Sequence, residues 1–556
     1  MSNFEFLESN KLFGSFAKAS IEAERGLETN PVTCIMLSRK ALELGVKWLY
    51  ANDKLLIMPY QTTLSALTHT ITFKNIVDDE VRKGIDFVIK KGNFVVHTNT
   101  NVTRDEAILV LKCLFNFMKW IYFNYDPNYK EIEFDTNKLP QESNDNIKKD
   151  EREKLEKELD EQTKKLETTL KENEELRKQL TEERENKNKS KNFVVKDLSE
   201  FQTRKQFIDL DLQIAGWDFN ENITEELEVQ GMKNTEGIGY VDYVLFGKNG
   251  LPLAVVEAKR SSKNAHEGKQ QASLYADCLE EKYGQRPVIY YTNGIEIYFW
   301  DNLDYPERKV EGFHTQDELQ RLINRRKSKQ SLEHIYIDSN ITNRPYQLEA
   351  IKRVCEAFEN KHRKALLVMA TGTGKTRTAI SLVDVLTGKG WVQNVLFLAD
   401  RTELIKQAKK NFVKLLPDMS CCNLLDSKDN PEDSRIVFST YQTMINAIDN
   451  MRNKDGKRLF TPGHFDLIII DEAQDTSVNQ MAVFDLLSKS GVKSMFLVGD
   501  ADQSIYEWRN ASPECFLQKV EDTSWQTIEL TGNFRSSQNI CNVTSYCIIT
   551  LCPSQA

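Results

Sequence analysis

A lysine and a threonine close the glycine-rich run Ala370-Thr371-Gly372-Thr373-Gly374-Lys375-Thr376, which lies between the apolar stretch Leu366–Met369 and a helical pattern. Strand, loop and helix start in that order aim backbone N–H groups and a helix dipole at an anion. The expected chemistry is phosphate binding. Thr371, Gly372, Thr373 and Gly374 cradle the phosphates, Lys375 neutralises the terminal ones, and the Thr376 hydroxyl ligates Mg²⁺. A second apolar run, Leu467–Ile470, ends in Asp471-Glu472 about a hundred residues further on. Adjacent carboxylates at a strand end repel each other unless a cation sits between them. Asp471 is therefore expected to hold Mg²⁺ through water, and Glu472 to polarise the attacking water. The pair of motifs predicts hydrolysis of Mg²⁺–ATP.

A third group is Asp242, within Tyr240–Phe246, and Glu257 with Lys259, within Leu253–Arg260. Side chains alternate along a strand, so Glu257 and Lys259 share a face, and the turn Gly247–Gly250 brings Asp242 beside them. Two carboxylates can clamp Mg²⁺ against a scissile phosphate while a lysine orients water or stabilises the developing charge. The spacing alone is a weak signal. A lysine ending an apolar strand strengthens it, because lysines are seldom buried.

Holding these side chains takes several folded bodies. The chain has 556 residues, 40% hydrophobic and 28% charged, which excludes collagen-like, wholly disordered and small disulfide-stapled classes. No run approaches the roughly 18 apolar residues of a membrane span, and the first residues lack a secretory pattern. Ten scattered cysteines without a CxxC pair read as reduced thiols of the cytoplasm. A net charge of −9 excludes a uniformly basic nucleic-acid coat but leaves room for local basic grooves. The expected fold is multidomain α/β. Residues 1–135 read as a helical domain, with helical spacing in Ala17–Tyr50 and Asp105–Tyr125. Residues 145–192 are a Glu/Lys-rich linker, coiled-coil-like through Leu159, Leu166 and Leu180, with a solvated helix as the alternative. Residues 195–335 carry short strands between turns. From 340 to 556, apolar strands alternate with helices, as in a parallel sheet.

Several segments also resemble known families. Arg344-Pro-Tyr-Gln347, the loop 370–376, Val395–Arg401 and Phe438–Thr443 resemble the motor of type I restriction enzyme R (HsdR-like) subunits. The resemblance implies that Gln347 reads the adenine. Asp471–Thr476, Val498–Arg509 and Leu530–Ser537 are similar to UvrD/Rep-type superfamily 1 helicases. That implies a γ-phosphate sensor at Gln503, base-stacking aromatics at Tyr506 and Trp508, and a catalytic arginine at Arg535. Thr203–Asp209, Ala215–Trp217 and Gln271–Tyr275 surround the Asp242/Glu257/Lys259 group as in the PD-(D/E)xK nuclease domain of R subunits, although Gln202 replaces an acid often found there. Arg39–Glu43 and Gly92–His97 resemble a HEPN-like accessory domain. No arginine stands four to six residues before His97, so a structural or partner-binding role is expected.

The expectation is an ATP- and Mg²⁺-dependent DNA nuclease and translocase of a restriction or phage-defence system. The alternatives are a helicase with a vestigial nuclease, or an assembly subunit inactive alone. The box following Leu467–Ile470 is not of the DEAH type, and Ser536–Ala556 is too short for a second RecA-like lobe. A second-lobe partner, or methyltransferase and specificity subunits, are therefore the expected companions, with no membrane.

Overall fold

The computed structural model describes residues 2–59, 62–97, 102–141, 174–190, 193, 201–232, 237–258, 267–294, 296–301, 303, 305–369, 372–454, 457–471, 494–499, 518–522 and 525–529. The chain divides into two compact units, Met1–Leu210 and Asp211–Ala556. No helix among the described residues is long and apolar enough to cross a membrane.

The first unit is helical. Asn30 caps Pro31–Asn52 by accepting the Thr33 amide at 2.7 Å, and Pro31 starts that helix where its missing N–H costs nothing. Thr103 and Glu106 form a reciprocal capping box at the start of Arg104–Tyr125. This helix is buried almost all round, as its run of Leu, Phe, Trp and Tyr requires. Gly45 lets Pro31–Asn52 approach it, since a Cβ there would lie 2.9 Å from Phe117. The charged segment contributes the helix Glu174–Ser190, whose Leu180 and Arg184 are buried against this domain. The Arg184 Nε sits 2.7 Å from Asp53, whose carboxylate also accepts the Tyr125 hydroxyl at 2.8 Å. Leu155, Leu159, Leu166 and Leu170 lie outside the described residues.

Among the described residues the second unit contains two sheets. The first runs in the order β1-β2-β3-β4-β5-β6, with β1 Ile223–Gln230, β2 Ile238–Phe246, β3 Pro252–Ala258, β4 Val288–Thr292, β5 Ile297–Trp300 and β6 Arg308–Val310. Among these described strands β3 and β4 pair in parallel and the other neighbours antiparallel, and the helix Glu267–Tyr283 makes the crossover between β3 and β4. Its Ala272, Tyr275, Ala276 and Leu279 pack on Val241, Val244, Val255 and Ile289.

The second sheet is parallel throughout, in the order β13-β7-β12-β11-β8-β10-β9. Its members are β7 Lys364–Val368, β8 Val395–Leu398, β9 Cys421–Asn423, β10 Ile436–Ser439, β11 Leu467–Asp471, β12 Ser494–Gly499 and β13 Gln526–Glu529. Strands β8, β10 and β11 are buried at every position, which is why their sequences read as unbroken apolar runs. One face packs on helices Pro345–Glu359 and Lys375–Gly388; the other packs on Tyr441, Met444, Phe460 and Phe465.

Candidate functional site

The glycine loop leaves the C-terminal end of β7 and enters the helix Lys375–Gly388. Gly372 and Gly374 take φ values of +81° and +95°, a region that L side chains seldom adopt. Gly374 caps the helix, and the next residue, Lys375, is buried at its first turn. Thr376 is half-buried beside it. The loop is held from below by the helix Pro345–Glu359. Gln347 is 2% exposed, donates from Nε2 to the Thr373 carbonyl at 2.8 Å, and accepts from the Thr342 hydroxyl. Tyr346 donates its hydroxyl to the same carbonyl at 2.9 Å. The Gln347 amide is thus engaged with the loop backbone. Tyr346 and Thr342 are site residues that sequence reasoning missed. Tyr346 stood inside the Arg344–Gln347 run, but nothing in its type announced a contact with the loop.

Asp471 ends β11. Its register partner is Val498 of β12, which is level with Leu367 of β7. One strand therefore separates the Asp471 end from the strand that launches the loop, about 10 Å at normal strand spacing. The Asp471 carboxylate and the Thr376 hydroxyl are oxygen donors of the kind a hard divalent cation takes, and Lys375 brings a positive charge to a phosphate beside them. Thr371, Glu472, Gln503 and Arg535 lie outside the described residues, as do Tyr506 and Trp508.

The first sheet brings Asp242 and Glu257 together. The β2–β3 register pairs Tyr243 with Val256, so the next pair outward sets Asp242 against Glu257. The Ala258 amide donates to Asp242 Oδ2 at 2.6 Å, fixing the carboxylate at the end of β3. The connecting turn closes through Gly250 N–H to Gly247 O at 2.9 Å, with Gly250 at φ +72°. Glu257 is 4% exposed, a burial that suits a metal-ligating carboxylate. Tyr275 and Gln271, on the crossover helix, share a 2.6 Å hydrogen bond. Burial pushes the Tyr275 hydroxyl above its ordinary pKa, the Gln271 bond opposes this, and the nearby Glu257 and Asp242 charges add to the rise. The Gln271–Tyr275 pair thus lies within electrostatic reach of the two acids. Lys259 lies outside the described residues. In the helical unit, Arg39 lies across Gly92, where a Cβ would collide with its side chain.

Two family profiles match the chain. One, described as "Type I restriction enzyme R protein N terminus (HSDR_N)", covers residues 109–308; the other, "Type III restriction enzyme, res subunit", covers residues 340–496. The type I restriction enzyme EcoAI endonuclease subunit of Escherichia coli is 29% identical over 287 residues, covering 48% of this chain and 34% of that protein. The chain therefore spans about a third of that relative's length. The RecB polypeptide of the RecBCD enzyme from Buchnera aphidicola subsp. Schizaphis graminum is 28% identical over 149 residues, covering 26% of this chain and 12% of its own. Among solved structures, the Pyrococcus furiosus Hef helicase domain aligns at 20% identity with a TM-score of 0.26, over 36% of this chain and 40% of that one.

Proposed function

We propose that this chain, HsdR-like over residues 109–308 and helicase-like over residues 340–496, is the nuclease and motor portion of an ATP-dependent restriction enzyme that cuts DNA. The observation that carries the reading is Asp242, held by the Ala258 amide next to Glu257, in the same compact unit as the Gly372–Thr376 loop and Asp471. Asp242 and Glu257 would hold Mg²⁺, which when bound would supply Lewis-acid stabilisation of the charge on a scissile phosphate. The carboxylates fix where that phosphate sits, and Lys259 orients water or meets the developing charge. At the second site, Gly372–Gly374 amides and Lys375 bind the ATP phosphates, and Thr376 and Asp471 would hold the Mg²⁺. Glu472 activates water, and Gln503 and Arg535 respond to the γ-phosphate. Partners of this reading are DNA and the methyltransferase or specificity subunits of a restriction assembly.

The test is cleavage of supercoiled plasmid by the full chain with Mg²⁺ and ATP. Asp242→Asn or Glu257→Gln should lower the cutting rate by about a hundredfold or more and leave ATP binding unchanged. Lys375→Ala should abolish ATP binding and leave the melting curve in place. Parent-like cutting by either carboxylate variant defeats the nuclease assignment.

A further inference from the structure

The helix Gln316–Ser328 belongs by sequence to the first sheet's domain, yet it touches both sheets. At its start, His314 is fixed to β4: its amide donates to the Tyr290 hydroxyl at 3.2 Å, and its Nδ1 is 2.5 Å from the same oxygen. The Trp217 indole donates to the His314 carbonyl at 2.8 Å. Tyr290 precedes Tyr291, the register partner of Glu257. Near the helix's end, Arg326 bonds Asp301, just past β5, at 2.7 Å, and the carbonyl of Arg286, just before β4, at 2.6 Å.

Further contacts reach the segment that leads into β11 of the parallel sheet. Glu318 accepts the Thr461 hydroxyl, and Gly463 lies so close that a Cβ would sit 2.8 Å from the Glu318 carboxylate. Arg321 donates to the Gly463 carbonyl at 3.1 Å. Arg325 reaches Asp466 Oδ1 at 2.6 Å, with both residues under 8% exposed. The second Asp466 oxygen accepts the backbone amides of Gln393 and Asn394 at 2.9 and 3.0 Å. One carboxylate thus gathers the bases of β8 and β11 and hands them to Arg325. Asp471 stands five residues further along β11, roughly 16 Å away at the usual rise per residue.

Apolar side chains would glue two domains at least as firmly as a buried ion pair, whose main physical merit is to admit one register. Adjacent residues Arg325 and Arg326 bind different sheets, so a shift of β11 along its axis must be taken up by this helix.

We propose that Gln316–Ser328 is a coupling strut: Arg325 and Asp466 are positioning residues that transmit nucleotide binding at the Asp471 end of β11 to the sheet carrying Asp242 and Glu257. The inference rests on the nucleotide reading given above. The strut grips the N-terminal rim of the parallel sheet, opposite the glycine loop, so nucleotide reaches its site unhindered by it.

Amide hydrogen exchange on the full chain, with and without Mg²⁺ and a non-hydrolysable ATP analogue, tests it. In the parent, nucleotide should slow exchange both in residues 372–376 and in helix 316–328, the latter by about fivefold. Arg325→Lys keeps the charge but loses the planar fork, so the loop should stay protected while the helix response drops to less than about twofold. Glu318→Gln, a near-isosteric change at the other contact, should weaken the response in the same direction. Lys248→Ala removes only the exposed pair with Asp317 and should change nothing. A protected loop with an unresponsive helix in the parent overturns the coupling. So does an undiminished helix response in Arg325→Lys. A loop that nucleotide does not protect overturns the nucleotide reading itself, and the coupling falls with it.

Discussion

Replacing Gly374 by alanine tests the loop where geometry is tightest. Its φ of +95° costs an L residue about 1–2 kcal/mol. The new Cβ would also run into the Gln347 amide nitrogen. That amide is buried and bonded to both Thr373 and Thr342, so moving aside sacrifices two hydrogen bonds at about 1 kcal/mol each. The sum, about 3 kcal/mol, corresponds to roughly a hundredfold loss in nucleotide affinity if the loop must keep its shape to bind. Titration with a fluorescent Mg²⁺–ATP analogue reads this, and a melting curve verifies that the chain is folded. Gly388→Ala, at the far end of the same helix with open space around it, is the control and should bind like the parent. The double variant Gln347→Ala/Gly374→Ala removes the collision and leaves the backbone strain. It should therefore lose less than the two single losses combined, by about 1–2 kcal/mol. Affinity within threefold of the parent for Gly374→Ala, or strict additivity in the double variant, refutes the argument.

Three further outcomes follow from other contacts. Burial, reinforced by the Arg321 charge, pushes the His464 imidazole down to about 4, so from pH 6.5 down to that value the unfolded chain takes a proton that the folded one refuses. Stability should fall across that window by at most about 3 kcal/mol, and His464→Phe, beside Phe460 and Phe465, should flatten the dependence of melting temperature on pH; an unchanged profile contradicts it. Arg184→Met strands the buried Asp53 carboxylate and should cost about 3–5 kcal/mol in denaturant unfolding, with much of the loss recovered by adding Asp53→Asn. Tyr275→Phe should lower plasmid cutting by about tenfold without shifting the melting curve, because it removes the hydroxyl that Gln271 contacts near the two acids; parent-like cutting would show that this hydroxyl has no part in the site.

What could be read from sequence divides by burial pattern. The parallel sheet was legible through β7, β8, β10, β11 and β12, whose runs of Val, Leu, Ile and Phe are covered on both faces. Strands β9 and β13 were not, since Cys-Cys-Asn and Gln-Thr-Ile-Glu carry no apolar run. Asp242 and Glu257 were placed side by side because the short Gly247–Gly250 turn makes the two strands antiparallel neighbours; the one-residue slip between Leu245 and Phe246 could not be read from the sequence. Gln347 was harder: its type is equally suited to a base edge or a backbone carbonyl, and only the fold shows its amide engaged with Thr373. The strut was invisible for a related reason. Glu318 and Arg325 read as solvated charges in a helix as polar as Gln316–Ser328, and the partners that bury them lie more than 140 residues further along. The helix Glu174–Ser190 hides Leu180 and Arg184 in the same way.

The strand order also sets a timetable. β7, which launches the phosphate loop, pairs with β12 on one side and β13 on the other. The 125 residues between Val368 and Ser494 must be synthesised before the first of those neighbours exists. At roughly 5–20 residues per second, a ribosome takes roughly 6–25 seconds to deliver it. Over that interval β8, β10 and then β11 can assemble beside one another, while Ala365, Leu366 and Leu367 have no strand to lie against. The nascent chain therefore carries its nucleotide loop on an unsheltered apolar strand for most of the time the parallel sheet takes to build. This makes β7 the segment where a chaperone that binds exposed strands would linger longest.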